Sequence, residues 1–170
     1  MDYYKIILYL AFGILPSLIW LFYYLHKDLH PEPKRMILKV FFWGAAITVP
    51  TYFFQLALSH LLSQMQIFPF FGAYPIVLEL LKWVIAIALT EELLKYVVVK
   101  MNVVGSYAFD EPLDIMLYMV VAALGFAAVE NILYLFSPVN IGTILETTVA
   151  LSLIRFVGAT FLHTLCSGLF

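Results

Sequence analysis

Apolar residues fall into five long runs separated by short polar breaks, and each run is near the ~20 residues that a helix needs to cross a bilayer. The runs cover residues 3–25, 36 to about 58, about 76 or 82 to 101, 113–136, and about 143 to 170. Pro16 predicts a kink in the first, and Pro50 lies inside the second. The first break, 26–35, is polar and sets Pro31 and Pro33 on either side of Glu32. The second, 59–75, carries Phe68, Phe70, Phe71 and Tyr74 around two prolines, a composition that suits an interfacial linker. The third, 102–112, holds Gly105 and closes on Asp110-Glu111-Pro112, which predicts a turn opening the next helix, with Asp114 in its first turn. The fourth covers 137–140. The pattern predicts an all-α fold, a polytopic transmembrane helical bundle of about five spans. It forms a single integral-membrane domain, 1–170. The last run reaches Phe170 without a polar tail, so the expectation is a C-terminal truncation or a helix that stops abruptly at the membrane surface.

Composition agrees. The chain is 64% hydrophobic and 12% charged, against about half and about a quarter in soluble domains, and its mean hydropathy is +0.99. A net charge of −2, with charges clustered, gives no support for nucleic-acid binding. The single cysteine, Cys166, excludes an intramolecular disulfide and a cysteine metal cluster, and reads as a small apolar helix residue. The first run is too long for a signal peptide and lacks a small-residue cleavage pattern, so it reads as a retained span. Lys27, Lys34, Arg35 and Lys39 flank the first connector, and Lys100 flanks the third. That placement predicts a multi-pass protein of the cell membrane, N-terminus outside, with loops 26–39 and 100–112 cytoplasmic.

The exceptions to the apolar pattern carry the chemistry. A charged side chain at the membrane centre costs roughly 2.5–3.5 kcal/mol even on the lenient insertion scale. The third run nevertheless contains Glu91, Glu92 and Lys95. Glu91 and Lys95 share a helix face, and Glu92 is turned from Glu91 by about 100°. Glu130 and Asn131 lie in the fourth run, and Arg155 and His163 in the fifth, on one face with Ser167 a turn beyond. Small residues surround them: Ala122, Ala123, Gly125, Ala127 and Ala128 in the fourth, Ser152, Gly158 and Ala159 in the fifth. Such residues let helix backbones approach closely in lipid. One ionic cluster is therefore expected. Glutamate can act as general base toward water, a lysine or arginine beside it keeps one carboxylate ionised, and histidine can stabilise an oxyanion or protonate a leaving amine. Glutamate and histidine could equally hold zinc. Span midpoints place Glu130 roughly 9 Å toward the outside of Glu91 and His163 roughly 9 Å toward the inside, at a rise of about 1.5 Å per residue.

Glu91-Glu92-x-x-Lys95, Phe126-x-x-x-Glu130-Asn131 and His163-x-x-x-Ser167 resemble the three signature motifs of the PrsW-type intramembrane proteases, a family grouped with CAAX prenyl endopeptidases and Abi proteins. Pro31-Glu32-Pro33 and Phe109-Asp110-Glu111-Pro112-Leu113-Asp114 resemble two accessory stretches. The resemblance covers nearly the whole chain in order. It implies an endopeptidase that clips membrane proteins, such as anti-sigma factors, with Glu91 and Glu92 activating water and Glu130 and His163 completing the centre. Lys95, Phe126, Asn131, Arg155 and Ser167 are the expected supporting residues. Ile115 departs from the family's pattern, where glycine is expected, and family members usually continue with further helices after the histidine motif.

The expected reaction is peptide-bond hydrolysis without a covalent intermediate and with no cofactor as first choice. If zinc is used, Glu91, Glu92, Glu130 and His163 are its ligands. The expected partners are a transmembrane or juxtamembrane protein substrate and the lipid bilayer. No HExxH or GxGD motif is present. Rival readings are a small cation- or proton-coupled transporter, and a pseudoprotease scaffold. Within the cluster, the plain alternatives are a register-fixing ion pair of Glu91 and Glu92 with Lys95 or Arg155, a snorkelling Lys95, and Arg155 as a counter-ion. Ser167 is expected to bond its own backbone or to orient the histidine, not to act as a nucleophile. His26, His30 and His60 have no spaced partners and no assigned role.

Overall fold

The computed structural model describes residues 3–27, 32–106, 109–137 and 145–169. Every regular element among them is helical: α1 (Tyr3–Lys27), α2 (Lys34–Gln64), α3 (Pro69–Ala73), α4 (Pro75–Leu81), α5 (Thr90–Asn102), α6 (Pro112–Leu135), α7 (Leu145–Arg155) and α8 (Phe161–Leu169). A 3₁₀ turn, Met65–Ile67, follows α2, and π-helical segments join α4 to α5 (Lys82–Leu89) and α7 to α8 (Phe156–Thr160). Pro31 of the Pro-Glu-Pro stretch, the start of the fifth predicted run and most of the break before it lie outside the described residues.

The helical membrane bundle predicted from the sequence is the fold observed. Among the described residues, four helical stretches are long and apolar enough to cross a membrane: Tyr3–Lys27, Lys34–Ile67, Leu113–Leu135 and Glu146–Leu169. The third predicted span is not among them. Residues 75–102 are helical throughout, but the π segment divides them into α4 and α5. The α2 helix also runs beyond the predicted 58 to Gln64, into what composition alone read as linker.

Helix α6 is the hub and packs against α1, α2, α5 and α8. Its residues from Tyr118 to Ala128 are buried in unbroken sequence, Gly125 included. Small side chains make this possible. At Gly44 on α2, a Cβ would fall on the backbone of Ala122, and at Gly125 on α6 it would fall on the carbonyl of Phe41. These two glycines let α2 and α6 touch backbone to backbone, the close approach by which helices gain dispersion contacts in lipid. Met36, Ile37, Val40, Val98, Val99, Val103 and Tyr118 pack at the same end of the bundle.

That end is also tied by polar groups. The Asp114 carboxylate accepts from the backbone N–H groups of Asp110 (3.0 Å) and Glu111 (2.7 Å), closing the predicted turn before α6. Tyr118 donates its hydroxyl to Glu32, which precedes α2, at 2.7 Å. Carboxylate oxygens of Glu32, Asp110 and Asp114 lie within 4.8 Å of one another. Burial pushes the Glu32 carboxyl above its ordinary range; the Tyr118 hydrogen bond opposes this and the neighbouring Asp114 charge adds to it.

Candidate active site

The site begins where the π segment hands over to α5. The Thr90 hydroxyl donates to the Ile85 carbonyl five residues back, at 3.0 Å. The second π segment receives a donor too, from Trp20 Nε1 on α1 to the Phe156 carbonyl at 3.1 Å. π-helical turns are often found at functional sites, where they re-aim the side chains that follow. Here they precede Glu91 and His163 respectively.

Lys95 is the centre of the arrangement. Its side chain is 0% exposed, so it does not snorkel. Its ammonium donates to Glu92 Oε1 at 2.7 Å and to His163 Nδ1 at 3.0 Å. It also lies 3.7 Å from Glu91 Oε2 and 4.6 Å from the centroid of the Phe126 ring. An ammonium has donors only, so Nδ1 must offer its lone pair and the imidazole proton sits on Nε2. Nε2 then donates to Glu130 Oε2 at 3.0 Å. Arg155 Nη2 donates to the same oxygen at 3.0 Å, which makes Arg155 the counter-ion of Glu130. Its Nε bonds Asn131 Oδ1, Asn131 Nδ2 donates to Thr160 Oγ1 at 3.0 Å, and the guanidinium lies 4.7 Å from the Tyr134 ring centroid.

All nine sequence-selected residues therefore join one connected cluster. The predicted depth offset is corrected: Glu130 and His163 meet at 3.0 Å, and His163 Nδ1 is 3.8 Å from Glu91 Oε2. Midpoint arithmetic assumed parallel, ideal α-helices, whereas the helices before both Glu91 and His163 change to π pitch. Ser167 is corrected as well. Its hydroxyl donates to Glu92 Oε2 at 2.5 Å, not to its own backbone or to the histidine.

Sequence reasoning missed Gln55. This α2 side chain donates from Nε2 to Glu91 Oε1 at 2.9 Å. The available signal was an amide inside an apolar run, flanked by Phe54 and Leu56. Both oxygens of Glu92 thus have donors, as does Glu91 Oε1. Glu91 Oε2 has cationic or imidazole nitrogens at 3.7 and 3.8 Å but, among the described residues, no hydrogen-bond donor.

Residues 32–170 match the family described as PrsW family intramembrane metalloprotease. The chain belongs to the PrsW protease family. It is similar to Protease PrsW of Oceanobacillus iheyensis, 34% identical over 126 residues that make up 74% of this chain and 53% of that protein. It is also similar to Protease PrsW of Geobacillus kaustophilus, 32% identical over 126 residues, 72% of this chain and 50% of that protein. The Bacillus subtilis Protease PrsW matches at 32% over 124 residues, 72% and 51%. The chain spans about half the length of these curated relatives. No solved structure matches it.

The family's description includes a metal, and the donor set does not fit one as arranged. Zinc needs ligand atoms that converge at about 2.0–2.2 Å on one point. Among the described residues, the one group of three or more His, Cys, Asp or Glu ligand atoms within 4.8 Å of one another is Glu32, Asp110 and Asp114. Between Glu91, Glu92 and His163 stands the Lys95 ammonium, a positive charge that opposes a dication.

Proposed function

We propose that this PrsW family protein is an intramembrane endopeptidase that hydrolyses membrane-protein substrates with water activated by Glu91. The observation that carries this reading is the unequal partnering of the carboxylates: Glu92 is tied at both oxygens, while Glu91 Oε2, 3.7 Å from the Lys95 ammonium, accepts no hydrogen bond from the described residues. A general base needs such a lone pair, held within reach of the reacting water. Glu130 and Lys95 fix the tautomer and orientation of His163, the role a carboxylate commonly plays beside a catalytic imidazole. His163 would serve as oxyanion donor or acid partner once substrate displaces Glu130 from its Nε2–H, with the Lys95 ammonium close enough to stabilise developing negative charge. Glu92 and Ser167 position Lys95, and no step requires a metal. Anti-sigma factors and other single-span membrane proteins are the proposed substrate class. The proposed setting is the cell membrane, N-terminus outside.

The test compares membranes from cells expressing the wild type with cells expressing Glu91→Gln plus Glu92→Gln at matched abundance. New N-termini of membrane proteins are profiled by mass spectrometry, with and without a chelator. Cleavages found only with the wild type, and insensitive to chelation, are expected. Identical profiles from two folded, abundant proteins would refute the protease reading and favour a carrier or a scaffold; chelator-sensitive cleavage would overturn the metal-free mechanism.

A further inference from the structure

We propose that Gln55 is a positioning residue of this centre, holding Glu91 by Oε1 so that Oε2 stays available as the base. The inference rests on the protease reading above, but its geometry stands apart from it. Gln55 lies in a stretch of α2 whose neighbours Tyr52, Phe53, Phe54 and Leu56 are all exposed, at 56%, 64%, 56% and 51%. Gln55 alone of these is half-buried, turned inward to Glu91. Three α2 hydroxyls point back to their own helix: Thr48 to the Gly44 carbonyl at 3.4 Å, Thr51 to Ile47 at 2.7 Å and Ser63 to Ser59 at 2.7 Å. Gln55, by contrast, crosses from α2 to Glu91 on α5.

The position of that bond matters. Glu91's other polar neighbours, Lys95 at 3.7 Å and His163 at 3.8 Å, both lie on the Oε2 side. Without a donor at Oε1, attraction would draw the carboxylate from its 3.7 Å ion-pair distance into direct hydrogen bonding with the ammonium and occupy Oε2. The amide opposes this by holding the far oxygen. It does so without adding a charge, whereas a lysine or arginine there would neutralise the base.

The experiment uses the purified full chain in liposomes, with Gln55→Met, Gln55→Glu and Glu91→Gln beside the wild type. Subtracting the infrared spectrum of Glu91→Gln isolates the Glu91 carboxyl band, and Gln55→Met is expected to move it. Bacterial inner-membrane vesicles serve as the protein probe, with newly exposed N-termini labelled and counted. Gln55→Met should slow their release about tenfold to hundredfold, the scale of a small misplacement of a reacting group. Gln55→Glu should be inactive at neutral pH and recover in acid, where the introduced carboxyl becomes protonated and can donate to Glu91. A purely structural role predicts no acid recovery. An unmoved band with wild-type release in Gln55→Met overturns the positioning role and leaves the protease intact. A moved band with no wild-type cleavage above Glu91→Gln overturns the protease reading and leaves the Gln55–Glu91 contact standing.

Discussion

Replacing Lys95 by methionine removes the ammonium and keeps most of the side chain's volume, so the change isolates charge and hydrogen bonding. In the wild type this fully buried group donates to Glu92 at 2.7 Å and to His163 at 3.0 Å and lies 3.7 Å from Glu91 as an ion pair. After the change, Ser167 is the remaining donor to Glu92 among the described residues, and Glu91 keeps its Gln55 hydrogen bond but loses the neighbouring positive charge. Breaking a buried ion pair by removing one partner costs about 3–5 kcal/mol, because the remaining charge is left uncompensated. Lys95→Met should therefore lower the unfolding free energy by about that amount, and adding Glu92→Gln should return about 1–3 kcal/mol of it. Lys95→Arg should not substitute, since the larger planar guanidinium in this fully buried space cannot take the place of a compact ammonium aimed at Glu92 and His163. The assay is reversible unfolding in mixed micelles of ionic and non-ionic detergent, followed by helical circular dichroism. A loss below about 1 kcal/mol, the value of an exposed pair, with no coupling to Glu92, would refute the buried-ammonium argument.

Other outcomes follow from the same coordinates. Gly125→Ala places a methyl group on the Phe41 carbonyl, and Gly44→Ala one on the Ala122 backbone; each should cost about 1–3 kcal/mol through overpacking, read from thermal unfolding in micelles. Gly158→Ala, with nothing within 4 Å of the new Cβ, is the control and should be neutral or gain up to about 1 kcal/mol. Ser167→Ala should lower cleavage by about tenfold to a hundredfold at most, since the hydroxyl supports Glu92 through one hydrogen bond to a charged group, worth about 1.5–3 kcal/mol; complete loss in a folded protein would favour a nucleophilic serine. Glu32 binds its proton more tightly folded than unfolded, because its folded carboxyl is raised above the ordinary glutamate value, about 4.3. Its contribution to stability is thus fully present below that ordinary value and is lost as pH rises through the raised one. Melting of the wild type minus that of Glu32→Gln across this window should show the loss, and a flat difference would refute it.

The sequence revealed the bundle and the ionic set for one physical reason. In lipid, length and apolarity set helix spans, and any charge within them stands out against the background. The sixth helix, Pro112–Leu135, matches its predicted run within a residue because proline and acidic capping groups mark its start. The interrupted 75–102 stretch was less readable, since π pitch leaves the apolar composition unchanged while altering where side chains point. For the same reason the depths of Glu130 and His163 were misjudged. Gln55 carries no charge, so nothing in its own residue type distinguished a site amide from a lipid-facing helix's occasional polar residue.

Three carboxylates and two fixed cations, Lys95 and Arg155, meet in one place, and a buried ionic cluster is weak support for stability in itself. The stabilising work must fall elsewhere, and the distribution of small residues shows where. Tyr118 to Ala128, the buried stretch of α6, lies immediately before Glu130 and Asn131, and its contacts with α2 are made backbone to backbone at Gly44 and Gly125. That rigid pair fixes Glu130 on one side and, through α2, Gln55 on the other. Glu91 and His163 come from segments that follow π turns, α5 packed against α2 and α6 and α8 against α6, and the ionic contacts join these segments at the cluster. The close backbone packing of α2 on α6 thus offsets part of the cost of keeping three acids together beside it.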